Sequence, residues 1–417
     1  MRTKITDGVY LNVITSNQFK TTRINVQFLA PLRAQQSGRR GLLTSVLETN
    51  SAEYPTQDQL AARLEEMYGA SFGFGVAREG AVHRMGAAIS VLNDQYTDTP
   101  LLPAAFAFLR SVLMRPLMQG SVLDPATVQR ERDNLLLYLA SLKEDRGTQA
   151  ALALQHGYFD DPVQAAPSFG ESADIEGIDA QTLTDVYHDA LTHDAIEIIV
   201  LGPVTTETVL PLAQQLGFAP RQVALSPGYD QPVHTDVRQF HEHAPVQQAK
   251  LNLGYHVESD DCGPRYFAAM VANQLFGGSP LSLLFRNVRE QASLAYFASS
   301  SLNQRRHFMM VQTGIEAANR AQTEALIAEQ LDKVVRGDFP DDLLQTVKDE
   351  ILNGRESALD SQRFLMNQAL TSALQPAAAL DLPTFTARVQ AVTKADVAAA
   401  AATFKLQAVY LLDGEEQ

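Results

Sequence analysis

Strict alternation of apolar and polar residues is the first regular pattern in the chain, at Ile24, Val26 and Phe28. A period of two predicts a β-strand with one face against a core. Further strands are predicted at residues 72–91, as two strands joined by a turn, and at 195–203, 249–257 and 408–414. Sheet structure is therefore expected in both halves of the chain.

Apolar residues at helical spacing fill the intervals between these strands. Thr56 and Asp124 are start signals, because a side-chain oxygen at the N-cap accepts hydrogen bonds from the first turn of a helix. Gly69 marks a helix end. Helices are predicted over residues 38–51, 56–69, 103–113, 124–153 and 263–275.

The second half of the chain repeats the order of strands and helices in the first. When Pro340 is placed on Pro125, Asp360 falls on Asp145 without a gap. Proline and glycine among polar residues mark a linker between the halves. We therefore predict an α+β fold of two homologous domains, each a mostly antiparallel sheet packed with helices on one side. The predicted bounds are 1–218 for the first domain, 219–236 for the linker and 237–417 for the second domain.

Composition narrows the class of protein. The 417 residues include 33 Lys and Arg against 48 Asp and Glu, a net charge of −15, which argues against a nucleic-acid or membrane-surface partner. Cys262 is the single cysteine, so an internal disulfide and a Cys-rich zinc site are excluded. No signal peptide pattern and no run of 18 apolar residues is visible. These features predict a cytoplasmic protein.

Histidine is the residue type to search for metal or acid–base chemistry, and the chain has 9. Neither H-x-x-E-H nor H-E-x-x-H occurs among them. His241 and His243 would point to the same side of a strand, but no third ligand is evident beside them. A solvated strand edge is the preferred interpretation of this pair, and an adventitious metal contact is the alternative.

Two segments carry a family resemblance. Residues 277–296 contain a Gly-Gly turn, Ser-x-Leu-Phe, Arg-Glu and Leu-Ala-Tyr, and residues 67–72 read Met-Tyr-Gly-Ala-Ser-Phe. In this order they resemble the insulinase/pitrilysin family of zinc metallopeptidases over nearly the whole chain. Within that family the chain is most similar to a bacterial group of non-catalytic homologues. The resemblance implies two homologous α+β domains, in agreement with the pattern.

The family's inverted zinc motif is missing where the resemblance implies it, on the first predicted helix. The matching positions hold Gly41, Thr44 and Ser45, and Glu48 stands alone. The window 135–139, where the distal glutamate ligand is implied, contains no acid. Two imidazoles and a carboxylate hold the zinc that activates a water, and these side chains cannot. The resemblance thus implies no catalytic residue, metal or cofactor in this chain.

Arg289 and Tyr296 match family positions that hold a substrate backbone. A helix is predicted to carry Arg289 near its end, and Tyr296 to begin the next strand. The leading hypothesis is a non-catalytic subunit that pairs with a zinc-motif paralogue, or with a second copy of itself, and presents both residues to a peptide substrate. Zinc is then expected in the partner. A peptide-binding or scaffold homodimer is one alternative, and an active metalloendopeptidase with His83 or the His241/His243 pair as substitute ligands is another.

Overall fold

The computed structural model describes residues 2–260 and 262–414. The β-strands are β1 Arg2–Thr6, β2 Val9–Thr15, β3 Thr21–Pro31, β4 Ser71–Glu79, β5 Val82–Leu92, β6 Met118–Gln119, β7 Val122–Leu123, β8 Ala195–Gly202, β9 Arg238–His243, β10 Ala249–His256, β11 Ala295–Asn303, β12 Phe308–Ile315 and β13 Lys405–Asp413. These bounds include every strand predicted from the alternation.

The α-helices are α1 Gln36–Thr49, α2 Gln57–Glu66, α3 Leu101–Met114, α4 Pro125–Ser141, α5 Arg146–Tyr158, α6 Pro162–Ala165, α7 Ser172–Ile175, α8 Ala180–His193, α9 Thr206–Gln214, α10 Pro264–Asn273, α11 Arg320–Arg336, α12 Asp341–Ala358, α13 Gln362–Leu374, α14 Leu382–Ala391 and α15 Lys394–Ala401. Two π-helices follow α10, at Gln274–Gly278 and Leu284–Gln291. None of the helices in the described ranges has the length and apolar character needed to cross a lipid bilayer.

The chain divides into two compact units. The first unit contains Met1–Ala140, Pro167–Pro227 and Leu359–Pro376, and the second contains Ser141–Ala166, Gly228–Ala358 and Ala377–Gln417. Each unit therefore includes one short segment from the other half of the sequence. The predicted bounds 1–218 and 237–417 follow the repeated order of elements along the sequence, whereas the two units are defined by contacts in space. The predicted bounds therefore stay a prediction.

The two sheets share the order of five strands, and the first sheet has a sixth strand, β1, at one edge. The strand order is β1-β2-β8-β3-β5-β4 in the first unit and β11-β12-β10-β13-β9 in the second. In each sheet all pairs are antiparallel except one, which is β2 with β8 in the first and β9 with β13 in the second. The predicted fold class, two α+β domains with mostly antiparallel sheets, is confirmed. β4 and β11 are corresponding edge strands.

The segments drawn from the opposite halves of the sequence lie against these sheets. In the second unit, the α5 residues Ala150, Leu154 and Tyr158 pack with β13 residues at alternate positions, including Tyr410 and Leu412. The intervening β13 residues, Val409 and Leu411, belong to the large helical core on the other face. In the first unit, α13 contributes Met366 and Leu370 to a cluster with β8. The central strands are consequently buried on both faces, which explains their continuous apolar sequence.

The helix predicted over 124–153 is wrong, because the structure breaks it into α4 and α5. Asp145 is the cause: its Oδ1 accepts hydrogen bonds from the N–H groups of Gly147 and Thr148, at 3.0 and 3.2 Å, and starts a new helix. The break falls at the position that the sequence duplication aligned with Asp360. Ser361 caps α13 in the same way, by accepting from Phe364 N at 3.3 Å. After each break the following helix packs against the sheet formed by the other half of the sequence.

Candidate functional site

Helix α1 carries the three positions implied for a zinc motif, and the hydroxyls at two of them, Thr44 and Ser45, turn back onto the helix. Thr44 Oγ1 donates to the carbonyl oxygen of Gly41 at 2.6 Å, and Ser45 Oγ lies 3.4 Å from the same oxygen. Thr44 is only 7% exposed. Hydroxyls that bond to their own helix are satisfied locally. This face of α1 therefore offers no free ligand.

The segment 167–170 lies directly against α1 at these positions. A Cβ on Gly41 would lie 3.0 Å from the carbonyl oxygen of Phe169. Gly170 has a φ of +82°, and a Cβ there would lie 2.1 Å from the Cα of Gly38, so position 170 requires glycine for this close approach. At position 41 any side chain forces the Phe169 backbone to move by a few tenths of an ångström, so an imidazole there disturbs this packing. The zinc-motif positions on α1 therefore lack metal ligands, and the segment 167–170 occupies the space beside them.

A buried polar chain fastens this segment to α1. Arg40 Nη1 forms an ion pair with Asp194 Oδ2 at 2.6 Å, and Arg40 Nε donates to His83 Nδ1 at 3.0 Å. His83 Nε2 then donates to the carbonyl oxygen of Ser168 at 2.8 Å. Burial and the neighbouring charge of Arg40 lower the pKa of His83 to about 3. Both ring nitrogens of this neutral imidazole are engaged, which argues against His83 as a substitute metal ligand.

Glu48, near the end of α1, interacts with the edge strand β4. Its Oε2 accepts a hydrogen bond from the backbone N–H of Phe74 at 2.9 Å. Burial raises the pKa of Glu48 by more than this hydrogen bond lowers it. The negative charge of Glu131 on α4 raises the pKa further. In the window 135–139 of the same helix, Leu137 and Tyr138 are 70% and 52% exposed. Two carboxylates without an imidazole do not form the family's ligand set.

A cavity of about 500 Å³ lies in the first unit, between the sheet and α13. Residues of β3, β4, β5 and α13 line it, and they include Arg23, Arg84 and Arg363 but no Asp or Glu among the described lining residues. Burial lowers the pKa of Arg23, and the like charge of Arg363 adds to the effect. Within residues 2–260 and 262–414, the inaccessible Arg23 Nε and Asn25 Oδ1 have no hydrogen-bond partner. The cavity is therefore suited to an anionic, hydrogen-bonding group.

Arg289 lies in the π-helix Leu284–Gln291 of the second unit. Its guanidinium carbon is 4.5 Å from the ring centroid of Phe285, and its side chain remains 39% exposed. The wide turn closes through a hydrogen bond from Ala292 N to Asn287 O, at 3.1 Å. A cation that stacks on an aromatic ring is held in one orientation while its N–H groups stay available. Arg289 is thus held by stacking on Phe285 and by an ion pair of its Nε with Glu290 Oε1 at 3.5 Å.

Tyr296 occupies a β-bulge on the edge strand β11. Ala295 pairs with Ile315 and Phe297 with Gly314, so Tyr296 is the extra residue. Regular alternation would place residue 296 on the face that buries Ala298, but the bulge turns its side chain outward, where it is 72% exposed. Among the described hydrogen bonds none joins Tyr296 to Arg289. The structure leaves both side chains partly or largely exposed and does not bring them into contact.

The sequence singled out Arg289 and Tyr296. It did not reveal the arginines of the cavity or the segment 167–170 that covers α1. A signal for the first existed, because the polar positions between Ile24, Val26 and Phe28 belong to one face of β3. No local signal existed for the second. The glycines of α1 are ordinary in sequence, and the segment that covers them lies more than a hundred residues away.

Comparisons with known proteins agree with this description. A family model for the peptidase M16 inactive domain matches residues 177–351. The chain is 30% identical to the probable inactive metalloprotease YmfF of Bacillus subtilis (strain 168), over 98% of this chain and 96% of the relative. It is also 24% identical to the uncharacterized zinc protease YmxG of the same organism, over 48% of this chain and 49% of that protein.

A solved structure is similar over the full length. The crystal structure of a conserved protein from Enterococcus faecalis V583 matches with a TM-score of 0.96 and 37% identity, and covers 100% of this chain and 99% of that one. The two-unit architecture described above is therefore shared with an experimentally determined protein.

Filling the zinc-motif position with its family residue is expected to destabilise the first unit. Gly41→His forces a side chain against the Phe169 backbone, and we expect a loss of about 1–3 kcal/mol in the free energy of unfolding. Gly354→His is the matched control, because Gly354 also lies in a helix and nothing lies within 4 Å of its Cβ. We expect it to change stability by less than about 0.5 kcal/mol. Urea unfolding measures the free energy of unfolding of both variants. Equal losses in the two would contradict the covering of Gly41 by the segment 167–170.

The neutral state of His83 predicts a pH dependence of stability. An unfolded histidine binds a proton near pH 6.5, whereas in the folded chain the pKa is about 3. The unfolded state binds more protons between these values, so stability is full above pH 6.5 and falls as the pH is lowered. Between pH 7 and 5 we expect His83 to account for a loss of about 2 kcal/mol.

His83→Gln is expected to remove this part of the slope when urea unfolding is measured at both pH values. His188→Gln, at an exposed position on α8, serves as the control and is expected to leave the slope unchanged. If the stability of His83→Gln fell with pH as much as that of the parent chain, His83 would not be the cause of the pH dependence.

Proposed function

The chain belongs to the peptidase M16 (insulinase/pitrilysin) family as an inactive, metalloprotease-like member, and from this we propose that it is the non-catalytic subunit of a two-chain zinc peptidase. A zinc-motif paralogue supplies the metal and the general base. This chain supplies Arg289 and Tyr296, which bind the backbone of the peptide substrate. Arginine donates two directed hydrogen bonds to carbonyl oxygens and the tyrosine hydroxyl donates one more.

The exposure of Tyr296 at a strand bulge carries the proposal. A large aromatic side chain that is 72% exposed gains nothing for the stability of the chain alone. The bulge also lies on an edge strand, the kind of strand beside which an extended peptide binds. Arg289, stacked on Phe285, lies seven residues earlier, and its side chain is 39% exposed. Both features suit recognition of a peptide backbone.

The corresponding edge in the first unit does not suit the same task. Glu48 takes the N–H of Phe74 on β4, a group that an added strand would otherwise bond. Helix α1 is covered by the segment 167–170 where the metal ligands of a peptidase belong. These contacts support a division of labour in which the chemistry belongs to another chain.

The pair of relatives in one organism supports the same view. Bacillus subtilis has both a probable inactive metalloprotease and a zinc protease that are similar to this chain. A heterodimer of one inactive and one zinc-containing chain follows naturally from such a pair. The single cysteine of the chain suits a reducing compartment, and the proposal places the assembly in the cytoplasm.

Removal of either substrate-binding group is expected to reduce peptide cleavage without loss of the complex. The chain is co-expressed with the zinc-motif paralogue of its own organism, and cleavage of a fluorogenic peptide library is measured. We expect Arg289→Ala and Tyr296→Phe each to lower kcat/KM by roughly 100-fold, because each removes a donor to a substrate or oxyanion oxygen.

Two variants serve as matched controls. Arg286→Ala removes an exposed arginine from the same π-helix, and Tyr96→Phe removes a hydroxyl from a tyrosine that is 51% exposed. Both are expected to keep parental activity, and light scattering checks that every variant still forms the complex. Absence of a complex, or full activity of Arg289→Ala and Tyr296→Phe, would overturn the proposal.

The arginine-lined cavity favours a second candidate function, a peptide-binding or scaffold protein that acts without a peptidase partner. Its lining carries Arg23, Arg84 and Arg363 and no acid among the described residues, in a chain whose net charge is −15. Local positive charge in an acidic protein indicates a role in binding. An acidic side chain or a terminal carboxylate of a peptide is the group that this cavity fits.

Fluorescence anisotropy on the chain alone tests this candidate. We expect an acidic peptide to bind more tightly than a neutral peptide of the same length, and Arg23→Ala with Arg363→Ala to weaken its binding by about tenfold or more. Arg110→Ala, at an exposed position of α3, is the control. Equal binding of acidic and neutral peptides would exclude the cavity as the binding site.

A further inference from the structure

The C-terminal ends of β9 and β13 bring three potential metal ligands together in the second unit. The strands are parallel, and His243 lies directly opposite Asp413 in the register. His241 lies two residues earlier on β9, so its side chain points to the same face as that of His243. Sequence analysis found the two histidines without a third ligand. The missing residue is 170 positions further along the chain.

The opposite face of β9 is fixed by its own contacts. The carboxylate of Glu242 accepts hydrogen bonds from Gln149 Nε2 at 2.7 Å and from the Tyr410 hydroxyl at 2.6 Å. Glu242 is thereby held on the side covered by α5. This anchoring keeps His241 and His243 on the other face, beside Asp413.

The three side chains converge closely. Asp413 Oδ1 is 2.9 Å from His241 Nε2 and 2.7 Å from His243 Nδ1. The imidazole centroids are 4.3 Å apart, and one ligand atom from each residue lies within 4.8 Å of the others. The carboxylate is buried, with Asp413 9% exposed, whereas the imidazoles are 42% and 51% exposed. A fixed carboxylate is thus flanked by two side chains that have room to adjust.

The geometry differs from that of an ordinary ion pair. Although two imidazole nitrogens lie within 3 Å, the inaccessible Asp413 Oδ1 accepts no hydrogen bond of acceptable geometry from any described residue. A cation between the three atoms would satisfy the carboxylate and both nitrogen lone pairs at once.

The donor set indicates which cation. Two imidazole nitrogens and one carboxylate oxygen suit Zn²⁺ and its neighbours Co²⁺, Ni²⁺ and Cu²⁺, whereas Ca²⁺ and Mg²⁺ require more oxygen ligands. Bond lengths of about 2.0–2.2 Å in a tetrahedral site separate the ligand atoms by about 3.3 Å. The contacts of Asp413 Oδ1 with His241 and His243, at 2.9 and 2.7 Å, must lengthen by about 0.4 and 0.6 Å to reach that spacing, and the exposed imidazoles have room to rotate.

We propose that His241, His243 and Asp413 form a zinc site that joins the edge strand β9 to the last strand, β13, with a water in the fourth position. The sequence-based prediction of no metal in this chain would then hold for the family's site on α1 but not for the second unit. Because the three ligands come together only in the folded chain, zinc binding stabilises the fold by mass action. The proposal is independent of any peptidase partner.

The test uses the full chain after removal of metal by chelation. Isothermal titration with Zn²⁺ is expected to show one site per chain, and Co²⁺ is expected to give the visible absorption of a four-coordinate complex. Thermal unfolding is expected to move to higher temperature with added Zn²⁺. His241→Ala, His243→Ala and Asp413→Asn are each expected to weaken zinc binding by more than about tenfold and to remove the Co²⁺ absorption.

His193→Ala is the matched control. His193 Nδ1 lies 2.9 Å from Asp189 Oδ1 in an exposed pair on α8, so this variant removes an imidazole–carboxylate contact outside the cluster. It is expected to bind Zn²⁺ like the parent chain. If Asp413→Asn fails to fold, the variants at the two exposed histidines decide the question. Parental affinity in both histidine variants, or no stoichiometric binding by the parent, would overturn the proposal.

Discussion

The chain of polar contacts from Asp194 through Arg40 and His83 to Ser168 is the constraint on which the first unit depends. Arg40, His83 and Asp194 are all buried, and Arg40 contacts both of the others, so removal of one member leaves a charge or a donor unpaired in the core. These polar contacts hold the segment 167–170 against α1. That contact in turn sets what the helix can do, because a surface covered by backbone cannot hold a metal and a substrate.

The loss of the zinc motif therefore extends beyond three substitutions. Small residues along α1 allow a close approach, and the approach is held by an ion pair and two hydrogen bonds. In such packing a return to histidine at position 41 restores a ligand but displaces the neighbouring segment. The fold keeps its shape while the chemistry is absent, as expected when function depends on a site and stability on the packing around it.

Duplication explains how one chain carries two different surfaces on the same topology. The edge strands β4 and β11 occupy equivalent places in their sheets. Glu48 bonds to the backbone of β4, whereas a bulge on β11 turns Tyr296 outward. The opposite edges differ too, because β9 is the outermost strand of the second sheet and carries the two histidines beside Asp413. A single residue inserted or replaced at an edge changes its use without disturbing the central strands, which are buried on both faces.

Local pattern determined much of this protein. Alternation located the central strands β3, β5, β8, β10 and β13, helical spacing and caps located helices such as α1, α2 and α10, and a gapless alignment of Asp145 with Asp360 revealed the duplication, because each signal lies within a few residues or in a repeated order. Contacts between distant residues required the tertiary structure. The break at Asp145, the cover on Gly41 and the meeting of Asp413 with His241 depend on which segments come together in space, and side chains with no distinctive local pattern acquire a role only from the neighbours that folding gives them.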